Sequence, residues 1–129
     1  MESLARFRLI EANLPQVKSI EYQAKIQITD ERGSRHTFYA DQLINGFLIS
    51  ELDGRSKYDG TYGDIPEEVR QKERDRERLL LNAGFPLVRH YYSALRLDAQ
   101  GSCAYVRNIQ KALRRYAQPR QAPSRVIQL

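Results

Sequence analysis

Apolar and polar residues alternate along the chain in two different periods, and the switches between them mark the elements. Met1 to Asn13 holds few helix breakers and is followed by Pro15, which predicts a first helix. From Ile20 to Thr29, Tyr22, Ala24, Ile26 and Ile28 alternate with Glu21, Gln23, Lys25 and Gln27. That is the period of a half-buried strand. Asp30 to Ser34 reads as a turn and Arg35 to Asp41 as the second arm of a hairpin. Beyond Asn45-Gly46, the segment Phe47 to Leu52 opens almost wholly apolar, as a central strand covered on both faces does.

Asp53 to Asp64 carries Gly54, Gly60, Gly63 and three aspartates, and is a predicted loop. Pro66, Glu67 and Glu68 suit the first turn of a helix running to about Ala83, with Gly84 as its stop. Phe85 to Tyr91 reads as another strand; Ala94 to Gln100 has no clear period. Ser102 is placed to cap a helix from Cys103 to about Ala117, with Val106, Ile109, Ala112 (or Leu113) and Tyr116 on one face. Pro119 and Pro123 end it, so residues 1–118 form the expected domain and 119–129 a loose tail. The order α-β-β-β-α-β-α describes an α/β fold: a mixed sheet flanked by helices.

Composition bounds the class. The 129 residues, 41% hydrophobic and 29% charged, can fill one core and resemble no disordered chain. The longest uncharged runs, such as Gln42 to Ser50, fall short of the roughly 20 apolar residues of a membrane span. Glu2, Arg6, Arg8 and Glu11 break up any secretory leader. The lone Cys103 excludes an internal disulfide and a cysteine-cluster zinc site, which makes a reducing cytoplasm the expected location.

Charge changes the picture when it is divided. Residues 103–129 hold Arg107, Lys111, Arg114, Arg115, Arg120 and Arg125 with no acid, whereas residues 1–102 hold 15 basic and 16 acidic residues. A basic helix and tail of this kind suit a polyanion, because phosphate contacts release counterions. A solvated helix face is the competing explanation. Tyr58, Tyr62, Tyr91 and Tyr92 lie near basic residues and are candidates for stacking on unpaired bases, with core or rim packing as the alternative.

The candidate chemistry is acidic. Asp41 ends one predicted strand; Glu51 and Asp53 end the next, two apart and so on one face of it. If the strands are neighbours, three carboxylates meet at the rim of the sheet. Mg²⁺ takes such oxygen ligands together with water and substrate phosphate. Lys57, in the glycine-rich loop, is within reach as a point charge for a phosphate oxygen. Glu51 closes an apolar strand, where an unpaired carboxylate is costly. An ordinary ion pair between Glu51 and an arginine of the 70–78 helix is the competing reading.

These residues also carry a family resemblance. Tyr39-Ala40-Asp41, then Ile49-Ser50-Glu51-Leu52-Asp53-Gly54-Arg55-Ser56-Lys57-Tyr58, resembles the core of small bacterial endonuclease domains related to the very-short-patch-repair nuclease. That group belongs to the PD-(D/E)XK restriction-endonuclease superfamily. Similar domains stand alone or form the C-terminal part of abortive-infection antitoxin-like proteins. The likeness continues from Glu73 through Ala83-Gly84-Phe85-Pro86 to Arg89, and Glu2-Ser3-x-x-Arg6 with Leu14-Pro15 resembles the family's opening. In all it spans roughly residues 2 to 97.

The resemblance implies a restriction-endonuclease-like sheet and metal-dependent hydrolysis of DNA phosphodiester bonds, with Mg²⁺ or Mn²⁺ as cofactor. Asp41 and Glu51 match its metal-binding acids, and Glu2 a helix acid that can join them. Asp53 stands where many relatives have lysine, and Lys57 where this subgroup often has histidine. Arg76, Glu77 and Arg89 match the positions flanking the site. Ala40 replaces the naming proline, and lysine at position 57 is a poor general base near pH 7 unless its pKa is lowered.

Arg55, Arg89, His90, Lys111, Arg114 and Arg115 are the expected nucleic-acid contacts, with His90 pointing towards the acidic rim as one option and a hydrogen-bonded buried histidine as the other. His36 is expected to be exposed near the hairpin turn, and Cys103 to be a small core residue. A homodimer and a co-encoded protein partner both remain open. Two non-enzymatic readings stand beside the nuclease: the same fold kept as an inactive module binding nucleic acid or a partner protein, and a toxin–antitoxin or phage-defence component.

Overall fold

The hairpin read from Ile20 onward forms: a computed structural model, which describes residues 1–54, 66–116 and 118–129, joins β1 (Ile20–Thr29) to β2 (Arg35–Ile44) as an antiparallel pair. The Asp30 carboxylate accepts the N–H groups of Arg32 and Ser34, and Gly33 takes the positive φ (83°) that the turn needs. At the tip, His36 Nε2 lies 2.8 Å from Asp30 Oδ2, and this partner lowers the Asp30 pKa. His36 is thus a paired surface group.

The next strand, β3 (Leu48–Asp53), pairs antiparallel with β2; β4 (Leu87–Tyr91) pairs parallel with β3. The sheet order is β4-β3-β2-β1-β5, so β3 is internal, as its apolar opening predicts. The fifth strand corrects the expectation of a loose tail. β5 (Val126–Gln128) adds parallel to β1; Gln27 N–H donates to the Arg125 carbonyl, and the Arg125 guanidinium pairs with Glu21. Three residues are too few to establish a period, and only the long-range partner makes them a strand.

Helices cover both faces. α1 (Glu2–Ala12) and α3 (Ala104–Arg115) pack on one, where Ala5, Leu9, Ile44, Leu48, Leu95, Tyr105 and Ile109 form a core. α2 (Glu67–Asn82) covers the other with Leu79, Leu80 and Ala83 against Ile26, Ile28, Ala40, Leu43, Ile49 and Phe85. The helix of residues 104–115 starts from Cys103, not from a Ser102 cap, and Cys103 is buried as expected. Gly84, at φ 96°, stops α2 as its position foretold. The unassigned stretch after β4 is a 3₁₀ turn (Tyr92–Leu95), followed by a loop in which Asp98 accepts the N–H groups of Gln100 and Ser102. No helix among the described residues is long and apolar enough to cross a membrane.

One irregularity sits in the middle of the hairpin. Ile20 lies opposite Ile44, and Ala24 opposite Ala40. Even spacing would put all four side chains on one face. Instead Ile20 and Ile44 pack with α1 and α3, while Ala24 and Ala40 pack with α2. The phase changes at Gln23, a non-glycine residue at φ 52°, opposite the segment holding Asp41. A left-handed residue inside a strand is strained, and such strain concentrates where a site must be shaped.

Candidate active site at the rim of the sheet

Asp41 stands where the ladder between β2 and β3 ends, one residue beyond the Gln42–Ser50 pair. Its Oδ2 accepts the Leu52 N–H at 2.8 Å, and the strand that carries Glu51 is thereby tied to the carboxylate of its neighbour. The Asp41 carboxylate lies near enough to Glu51 to raise its pKa, so the two acids converge at the rim. Burial raises the Glu51 pKa above the ordinary carboxylate value and the Asp41 carboxylate raises it further, while Arg76 opposes both.

Gln23 joins this pair to the first helix. Its Nε2 lies 3.2 Å from Glu2 Oε1 and 3.4 Å from Asp41 Oδ1. Glu2 is therefore linked to the rim through an amide rather than directly. Sequence reasoning missed Gln23, which reads as an ordinary polar position in the alternation; only its positive φ sets it apart.

On the other side, Arg76 of α2 reaches Glu51 Oε1 at 2.7 Å, and its guanidinium lies 5.3 Å from the centre of the Phe38 ring. The ion pair considered as an alternative is thus present beside the acid pair. Arg89 bridges to α2, with Glu77 at 3.2 Å and Glu73 at 3.6 Å. Glu51, Asp53, Glu73, Arg76 and Arg89 line one polar cleft of about 210 Å³, so Asp53 does share a face with Glu51. Among the described residues, no three His, Cys, Asp or Glu side chains are grouped closely enough to hold a metal ion. Arg55 and Lys57 lie outside the described residues, as do Tyr58 and Tyr62.

His90 does not face this rim. It is opposite Leu52 in the ladder, 2% exposed, and turned towards α3, where its ring meets Tyr105 edge-on at 4.8 Å. Burial holds its pKa down at about 4, so the ring is neutral near pH 7, and neither ring nitrogen has a hydrogen-bond partner among the described residues. The expectation that His90 points towards the acidic rim is corrected by the register: alternation along β4 sends Arg89 to the α2 side and His90 to the α3 side. Nearby, the Tyr105 hydroxyl donates to Gln42 Oε1 at 2.5 Å inside the same sealed layer.

Of the basic residues, Arg107 is paired with Asp98 and Arg125 with Glu21. Lys111, Arg114 and Arg115 are exposed and have no acidic partner among the described residues. No protein-family model, curated protein or solved structure matches the chain. The class is defined by what the residues themselves build: a mixed α/β sheet, covered on both faces, with an acid pair at its rim.

Proposed function

We propose that the chain is a metal-dependent phosphodiesterase acting on DNA, with Asp41 and Glu51 as the acids that hold Mg²⁺ or Mn²⁺. The observation that carries this reading is the approach of two carboxylates from neighbouring strands, with Asp41 held on the Leu52 N–H beside Glu51 and raising the Glu51 pKa. Like charges held together call for a cation, and Mg²⁺ is commonly bound by one or two carboxylates with water and substrate phosphate completing its shell. The donor set therefore fits a hard divalent ion without a third acid. When bound, such an ion activates water and stabilises the charge that develops on the phosphate.

The chain's own residues do the positioning. The Leu52 N–H fixes Asp41 Oδ2, leaving the other oxygen towards Gln23. Gln23 holds Glu2 at the edge of the site. Arg76 and Arg89 place guanidinium groups on the α2 side of Glu51, suited to phosphate oxygens. Lys111, Arg114 and Arg115 supply the positive surface for the backbone.

A second reading has its own observation. Arg76 satisfies one Glu51 oxygen at 2.7 Å, as a resident cation would in a module that has kept the fold and lost the metal. Nicking of supercoiled plasmid with Mg²⁺ or Mn²⁺ separates the two. The hydrolase reading expects cleavage abolished by EDTA and reduced at least about a hundredfold in Asp41→Asn and Glu51→Gln. Cleavage indifferent to both substitutions, or none with any divalent ion, removes it; salt-dependent DNA binding that survives EDTA would then leave the inactive module.

A further inference from the structure

A second cleft, of about 460 Å³, lies on the α3 side of β4 and shares only Arg89 with the acid-lined one. Asn108, Lys111, Ala112 and Arg115 recur at three- and four-residue spacing, so one stripe of α3 forms its wall. Among the described residues no acidic one lines it. Lys111 and Arg115 are a like-charged pair one turn apart, an arrangement that weakens an isolated helix. The negative end of the helix dipole accounts for Arg115 in the last turn, but not for Lys111 a turn earlier. A bound anion accounts for both.

The cleft is larger than an inorganic anion needs and falls in the range of small-molecule sites. Tyr116 and Ala112 give it apolar surface, and the Arg115 guanidinium lies 5.4 Å from the centre of the Tyr116 ring. His90 lines it from β4, the edge strand of the sheet among the described residues. His90 is 2% exposed and neither of its ring nitrogens has a hydrogen-bond partner among the described residues, which leaves a donor and an acceptor unused in the wall of the cleft. That combination is cationic at the mouth, flat and apolar along the wall, and able to exchange hydrogen bonds within.

We propose that this cleft binds a nucleoside monophosphate, with its phosphate on Lys111 and Arg115 and its base against Tyr116, reaching towards His90. The chemistry is shared by a free nucleotide and by an unpaired nucleotide of a single strand. The site lies apart from the acid pair and does not depend on it, although Lys111 and Arg115 also belong to the positive surface proposed for the DNA backbone.

Titration of protein carrying isotope-labelled histidine tests this, using adenosine monophosphate, inorganic phosphate and a short oligodeoxyadenylate. The expected result is saturable binding of the monophosphate, at least about tenfold tighter than phosphate, with movement of the His90 ring resonances and not those of His36. Lys111→Ala and Arg115→Ala, both exposed positions that leave the core intact, should each weaken binding about tenfold. Asp41→Asn and Glu51→Gln should bind as the wild type does, so loss of nicking and loss of nucleotide binding are read separately. Tighter binding of the oligomer than of the monophosphate identifies a strand as the source; the reverse identifies a free nucleotide. Absence of saturation, equal affinity for phosphate and monophosphate, or indifference to both substitutions overturns the proposal.

Discussion

The two faces of the sheet handle polarity in opposite ways. Beneath α3, the polar residues Gln42, Ser50 and His90 are buried, and α3 lays Tyr105, Val106, Ile109 and Ala112 over this face. Beneath α2 the groups are acid–base pairs and partly wet: Glu51 with Arg76, and Arg89 with Glu73 and Glu77. There α2 buries only Leu80 completely, at its C-terminal end, and spans the rim with charged side chains. Burial without charge makes a scaffold, whereas charge at a half-open edge leaves groups available to a ligand.

The sealed face should therefore yield the largest stability effects. Tyr105→Ala is expected to cost about 3–5 kcal/mol in urea unfolding, because it empties a fully buried site and strips Gln42 of its hydrogen bond. A cost near that of a surface substitution would break the distinction between the faces. The His90 imidazole, held at about 4 in the fold against 6.5 when unfolded, comes next. Between these values the unfolded chain binds the extra proton, so stability falls on acidification through that window, by an amount on the order of 3 kcal/mol. His90→Asn should flatten this slope; an unchanged slope would show that the ring is not buried neutral.

The wet face predicts smaller changes, one of opposite sign. With the Glu51 pKa raised, its contribution is present at low pH and is lost as the pH rises through the folded value. Glu51→Gln should accordingly raise Tm at pH 7–8 in metal-free buffer, and the gain should vanish near pH 4. A loss of stability of equal size at both pH values would mean that the Arg76 pair outweighs the repulsion from Asp41. Smallest of all, Arg74→Ala breaks the exposed pair with Glu67 and should change stability by no more than about 0.5 kcal/mol. A larger cost would mean that α2 depends on its surface charges as much as on its packing.

Much of the rim was legible before any coordinates. Asp41 and Glu51 converge because a hairpin arm and the apolar strand after it became neighbours, the pairing their short connection favours. Arg76 was within the charged stretch already named as a source of partners for Glu51. What could not be read is which face each strand end presents. His90 was considered for the acidic side because it follows Arg89 at a strand end, yet the parity of β4 sends the two apart. Gln23 carries no signal in residue type, since its part in the site comes from a backbone twist.

Residue order by itself determined the local elements: the alternation of β1, the apolar opening of β3, the glycine stop of α2 and the buried stripe of α3 are short-range patterns written in neighbouring side chains. Tertiary structure alone decided the phase change at Gln23, the recruitment of Val126–Gln128 as a fifth strand, and the opposite fates of Arg89 and His90. Each of these depends on a partner many residues away. Local periodicity specifies which positions wish to be buried, but a strand's register and twist are set by the surfaces it meets.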